Sequence, residues 1–188
     1  MTHYHLPSRA PFLNLSDLDE AEALPVMDEL MRMRKEGQQH RLFGQTYLRW
    51  RQATEARLRE EFIRLGGRPV RRAPHYFVLG TSAWFEGLAK EMRGVRVALE
   101  ALPAEQTTFT LVDSFAAMGC GEQFGYPRTP PPPLNRLYRW PDDRQVLADY
   151  DVPSDEPDAD YSDYASRPVH HFVEVQVWRD LAATSLVP

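Results

Sequence analysis

Glu174 and Gln176 stand two residues apart in the run Phe172-Val173-Glu174-Val175-Gln176-Val177-Trp178, and their types and spacing are those of residues that can do chemistry. On an extended strand, alternate side chains share a face. One face then carries Val173, Val175 and Val177. The other carries a carboxylate and an amide between two aromatic rings. An ordinary solvent face holds Lys, Thr or Ser instead, so this pattern is how a strand lines a ligand cleft. The plainer reading is an edge strand whose acid faces water and blocks sheet-to-sheet aggregation.

Partners for Glu174 come from three other stretches. His75-Tyr76-Phe77-Val78-Leu79-Gly80 reads as a short strand into a turn, followed by Ser82 to Phe85. His75, Tyr76 and Trp84 can stack on a flat ring, or simply fill a core. Thr107 to Val112 is β-rich and runs into Asp113-Ser114, whose hydroxyl can meet a sugar or amide. His3 and His5 share a face if the N-terminus is a strand, and one can then reach a ligand; mobile, solvated histidines are the alternative.

Other chemistries lack their signatures. The sequence has no Walker loop, no Gly-x-Gly-x-x-Gly and no Gly-x-Ser-x-Gly elbow. The single cysteine, Cys120, excludes an intrachain disulfide and a Cys-based zinc cage. His170 and His171 are sequential and face opposite sides of a strand. The acids of 155–163 lack the EF-hand glycine and glutamate, so no metal is expected. A net charge of -5 argues against coating nucleic acid by charge alone. No apolar run approaches the ~20 residues of a membrane span. The start, Met-Thr-His-Tyr-His, is unlike a signal peptide, and a cytoplasmic location is expected.

The elements that position these residues follow from periodicity. A helix is expected from Ser16 toward Pro25, and a second from about Val26 to Glu36 because Pro25 splits the pattern. The clearest helix runs from Thr46 to Leu65, with Tyr47, Trp50, Leu58, Phe62 and Leu65 on its apolar side. Short strands are expected at 75–79, 95–99, 107–112, 137–140 and 169–178, a short helix at 144–150, and an acidic loop at 151–163. The 188 residues read as one α+β domain, helical over 17–65 and strand-rich over 73–180, with N-terminal helices on a mostly antiparallel sheet.

Three segments, taken in order, resemble DarT-type DNA ADP-ribosyltransferases over about half the chain. Ala73 to Gly80 with Ser82 to Leu88 is similar to that family's apolar strand followed by Ser and a bulky residue. Val95 to Leu102, Thr108-Phe109-Thr110 and Asp113 to Met118 are similar to its next strand and its Phe-Thr-Asp stretch. Val169 to Val177 is similar to its terminal strand, which carries the catalytic glutamate. The family's opening His-x-Thr strand has its nearest counterpart in Thr2-His3-Tyr4-His5. Its long NAD-binding loop would fall at 17–65, which here reads as helical.

The resemblance implies an ADP-ribosyltransferase-like sheet and NAD as co-substrate, with a nucleic acid or protein as acceptor. Glu174 would stabilise the positive charge on ribose. Gln176 would position ribose or acceptor, Tyr76 or Trp84 would stack on nicotinamide, and His5 would hold the adenine ribose. Ser114 would be a further cofactor contact. Arg64, Arg68, Arg71 and Arg72 would contact phosphate. The alternative is a non-catalytic binding domain, of an immunity or regulatory kind, in which Glu174 is surface and the aromatics are core.

Overall fold

The protein was analysed as a computed structural model, which describes residues 1–41, 44, 46–122, 131–149 and 172–181. The acidic stretch 151–163, the pair His170 and His171, and the first part of the expected last strand lie outside the described residues.

The architecture is α+β. Strand β1 (Thr2–His5) precedes two long helices, α1 (Glu20–Lys35) and α2 (Tyr47–Arg64). Then follow β2 (His75–Val78), α3 (Ala83–Glu86), β3 (Arg93–Arg96), β4 (Thr107–Thr110), α4 (Ser114–Ala117), β5 (Tyr138–Arg139), α5 (Gln145–Asp149) and β6 (Glu174–Val177). The strands form one six-stranded sheet in the order β3-β1-β2-β6-β4-β5. Every pairing is antiparallel.

The edge-strand reading of β6 is therefore corrected. β6 lies at the centre, hydrogen-bonded on one side to β2 and on the other to β4. Both of its faces are covered, which an alternating pattern alone does not require. Val173, Val175 and Val177 pack with Phe77, Phe109, Leu111 and Tyr138 in one core. Across the sheet, Trp178 packs with Leu58 and Phe62 of α2 and with Ala116 and Ala117 of α4. Phe172 joins Val78, Trp84 and Leu88 in a third cluster. The expected alternation is thus real, but the second face is a helix-covered interior.

Pro25 does not split the first helix. Asp19 and Glu22 form a reciprocal capping box that starts α1, and Ala23 and Met27 anchor it against Leu48. Pro25 is on the exposed side, where the Ala21 carbonyl it leaves without a helical donor can face water. In α2, Trp50 is 39 % exposed rather than part of the apolar side, and Thr54 and Glu55 are buried in its place.

Gly66 ends α2 at φ 86°, a left-handed conformation suited to glycine. Gly67 is required for space: a Cβ there would stand 2.2 Å from the Phe62 ring. Gly67→Ala is expected to displace Phe62 and lower stability by about 1–3 kcal/mol, read as a reduced urea midpoint with an unchanged slope.

Candidate functional site

A cleft of about 990 Å³ opens over the helical face of the sheet, between β1, β2 and β6 on one side and α1 and α2 on the other. Glu174, Tyr76, Trp84, Ser114, His3 and His5 all line it, so four separate stretches of sequence meet in one place. Its lining mixes apolar side chains, among them Leu18, Val26, Leu30, Leu88 and Phe172, with the polar Asn14, Arg51, Asp113 and Glu174.

Glu174 is paired in register with Val78 of β2 and Thr110 of β4. Its Oε1 accepts the Ser114 backbone N–H at 3.2 Å and the Gln176 Nε2–H at 3.0 Å. Neither donor is a cation. Desolvation pushes its pKa up to about 7, and the nearby Asp113 charge pushes the same way; the bonds from Gln176 and Ser114 pull against both.

Gln176 is not a ligand contact. It is fully buried, and its amide is used within the protein. Trp178 Nε1–H donates to Thr108 Oγ1 at 2.9 Å, and the Thr108 hydroxyl donates to Gln176 Oε1 at 2.9 Å. Gln176 Nε2 then gives one proton to Thr110 Oγ1 at 3.1 Å and the other to Glu174. The side chain therefore orients the carboxylate. Ser114 acts through its backbone: Asp113 caps α4 by accepting the Ala116 N–H at 3.0 Å, and this turn aims the Ser114 N–H at Glu174.

His3 is closed to chemistry at neutral pH. Its Nδ1–H donates to the Tyr76 carbonyl at 2.9 Å and its Nε2 accepts the Phe12 N–H at 3.0 Å. Those partners fix the tautomer, and burial lowers its pKa to about 4. His5 uses Nδ1–H toward the Leu6 and Arg9 carbonyls, at 3.0 and 2.8 Å, and its ring lines the cleft. Trp84 is a packed wall rather than an open platform, stacked on Phe172 at 5.4 Å and edge-on to Phe85 at 4.9 Å. Tyr76 is half-buried with the Arg51 guanidinium 4.5 Å above its ring.

The arginines expected at phosphate lie elsewhere. Arg71 pairs with Asp17 and Asp180, Arg68 and Arg72 are exposed, and none lines the cleft. Arg64 is exposed and pairs with Glu61. The cations at the cleft are Arg9, Arg41 and Arg51, with Arg9 paired to Glu29. Among the described residues no group of three or more His, Cys, Asp or Glu is placed to hold a metal ion, and no helix is long and apolar enough to cross a membrane.

Arg51 and Glu55 escaped the sequence reading. Arg51 Nε donates to Glu55 Oε1 at 3.0 Å and its terminal nitrogens donate to the Tyr47 hydroxyl at 3.1 Å and Asn14 Oδ1 at 3.2 Å. Tyr76 O–H donates to the same Glu55 oxygen at 3.2 Å. The signal was their position inside the apolar stripe of α2, between Tyr47 and Leu58.

No protein-family model, no curated protein and no solved structure matches the chain. Its function is argued from this geometry.

The Glu174 pKa has a consequence for stability. A folded pKa of about 7, above the ordinary 4.5, means that this group favours the fold fully below pH 4.5, and that the contribution is lost as pH rises through 7. At pH 8 the ionised carboxyl costs the fold roughly 3 kcal/mol relative to low pH. Glu174→Gln keeps an Oε1 for both donors and carries no charge. It is expected to raise Tm by several degrees at pH 8 and to change it little at pH 4, measured by thermal denaturation across that range.

Proposed function

We propose that the protein is an NAD-consuming, ADP-ribosyltransferase-like enzyme acting on a macromolecular acceptor, nucleic acid or protein, with Glu174 as its catalytic residue. The observation that carries this reading is a desolvated carboxylate on the central strand, opening into a large cleft lined by both apolar and polar side chains. A volume of about 990 Å³ lies at the upper end of the ~300–1,000 Å³ range of ligand pockets, which suits a ligand of dinucleotide size. The order of segments that resembles DarT-type enzymes adds to it.

The chemistry is glycosyl transfer. As the bond from C1′ to the pyridinium nitrogen breaks, its electron pair leaves with nicotinamide and positive charge builds on the ribose. A fixed carboxylate in a low-dielectric cleft stabilises that charge more than water does. Gln176 and Ser114 hold Glu174 without neutralising it. The acceptor then bonds to C1′ and gives up a proton. The apolar side chains of the lining suit the flat pyridinium ring, and the Arg41 guanidinium and the His5 ring, also in the lining, suit phosphate and ribose.

Only ionised Glu174 can perform this step, so kcat/KM rises with pH through about 7 in the free enzyme. The positive pyridinium of bound NAD favours the ionised carboxylate, which moves the limb in kcat below that of kcat/KM. The expected outcome is nicotinamide release from NAD by the wild-type protein, alone or with DNA, RNA or protein acceptors, reduced about 100- to 1,000-fold in Glu174→Gln. Chromatographic assay of nicotinamide decides it. No release with any acceptor, or equal rates for the two proteins, overturns the reading.

The second reading, a non-catalytic binding domain, is favoured by one observation: His3 and Trp84 are committed to partners within the protein. It requires a ligand that stabilises wild type and Glu174→Gln alike and is recovered unchanged.

A further inference from the structure

The cleft contains a polar assembly that cleavage of the C1′–N bond leaves unused. Glu55 is buried on α2, and its Oε1 takes hydrogen bonds from both Arg51 Nε (3.0 Å) and the Tyr76 phenol (3.2 Å). Arg51 also stacks on the Tyr76 ring and is tied to Tyr47 and Asn14. A buried Arg–Glu pair is weak evidence for stability, because desolvation offsets the attraction. Leu58 and Phe62 already seat α2 on the sheet through apolar contact. Tyr76, by contrast, has its side chain in the cleft wall beside the carboxylate proposed to act on ribose.

The sheet register fixes the relation between the two groups. Tyr76 pairs with Gln176 and Val78 with Glu174, so Tyr76 and Glu174 are diagonal neighbours on the same face of adjacent strands. Such neighbours lie about 7–8 Å apart along the backbone, a spacing that admits a reacting centre between the side chains.

We propose that Tyr76, backed by Glu55 and Arg51, is the second acid–base group of this cleft and takes the proton of the acceptor that attacks C1′. This rests on the glycosyl-transfer reading above. The acceptor X–H supplies a lone pair to form the X–C1′ bond, and the C1′–N pair leaves with nicotinamide. The acceptor proton passes to the Tyr76 oxygen while the phenolic proton passes to Glu55 Oε1, so no free phenolate forms. Glu55 then returns a proton to solvent through the same phenol. Arg51 favours the ionised form of Glu55 before the step and, bonded to its Oε1, holds it against the phenol. Glu174 is left as the electrostatic partner of the ribose. Burial raises the pKa of both Tyr76 and Glu55, which suits groups that exchange a proton with each other more readily than with water.

The test separates proton removal from bond cleavage by using azide, an acceptor with no proton to lose. Tyr76→Phe keeps the ring beneath Arg51, and Glu55→Gln keeps the shape of the acid. Both are first compared with wild type by Tm. In Tyr76→Phe, hydrolysis of NAD is expected to fall about 100-fold, with KM changed by no more than about twofold. Adding azide is expected to restore nicotinamide release to the wild-type azide rate, with azido-ADP-ribose identified by mass spectrometry. Glu55→Gln follows the same pattern, whereas Glu174→Gln is not rescued. Hydrolysis by Tyr76→Phe at the wild-type rate overturns the proposal, and so does a loss that azide leaves uncorrected where wild type forms the adduct. In both cases an active wild type leaves the role of Glu174 standing. A wild type that releases no nicotinamide with water, azide or any acceptor overturns the underlying reading and this proposal with it.

Discussion

The structure turns on one constraint: a carboxylate has been placed in the middle of an antiparallel sheet, on a face that helices cover. Glu174 belongs to β6, and β6 is flanked by β2 and β4 on its two sides. An acid at that depth needs donors, and neither of the two that bond its Oε1 is a cation. The amide of Gln176 and the N–H of Ser114 take the contacts that a lysine or arginine would fill in a buried ion pair. The neighbouring polar residues follow from that choice. Gln176 can donate to Glu174 in one direction only if its carbonyl oxygen is satisfied, which Thr108 does, and Thr108 is in turn fixed by the Trp178 indole. Alternating threonines on β4 are ordinary strand residues by type. Here two of them fix the orientation of an amide.

The same constraint shapes what covers the sheet. A second carboxylate, Glu55, sits on the helix packed above, and it is matched by a cation on its own helix. The two acids are thus treated differently. Burial raises the pKa of both, but Glu55 is bonded to Arg51 and to a phenol, whereas Glu174 is bonded to an amide and a backbone N–H and lines the cleft. Carboxyl groups with distinct surroundings in one cleft can take distinct roles in a reaction, one electrostatic and one in proton transfer.

How far this was legible depends on whether a feature is local. The alternation of 172–178, the extent of α2 and the β character of 75–79 and 107–112 all follow from side-chain period, and the structure reproduces them. The centrality of β6 does not, because its neighbours are paired through residues 75–78 and 107–110, far away in the chain. The edge reading failed for that reason. Arg51 and Glu55 failed differently. Spaced four apart, they look like a solvated helix pair. Yet Tyr47, Arg51, Thr54, Glu55, Leu58 and Phe62 follow one stripe, and charges inside an apolar stripe are the mark of a buried polar site. Pro25 shows the reverse error: a helix breaker counts for less on an exposed turn that a capping box has already started. The arginine cluster after α2 was dense in sequence, but its members point to the surface and to acids of their own.

Among the described residues no cation hydrogen-bonds Glu174, which bears on how a ligand would be selected. With a pKa near 7 the carboxyl is divided between its two forms at neutral pH, held there by desolvation and by Asp113. Any ligand that brings positive charge against it binds the ionised form and releases a proton, so ligand charge and carboxylate charge appear together. A neutral analogue of the same shape gains no such term, and one bearing negative charge at that position is opposed by Glu174 and Asp113 at once. The cleft therefore discriminates by charge at Glu174, among apolar side chains such as Phe172 and Leu88 that share its lining. Positive charge that grows against Glu174 meets a carboxylate held by an amide and a backbone N–H rather than by a bonded cation.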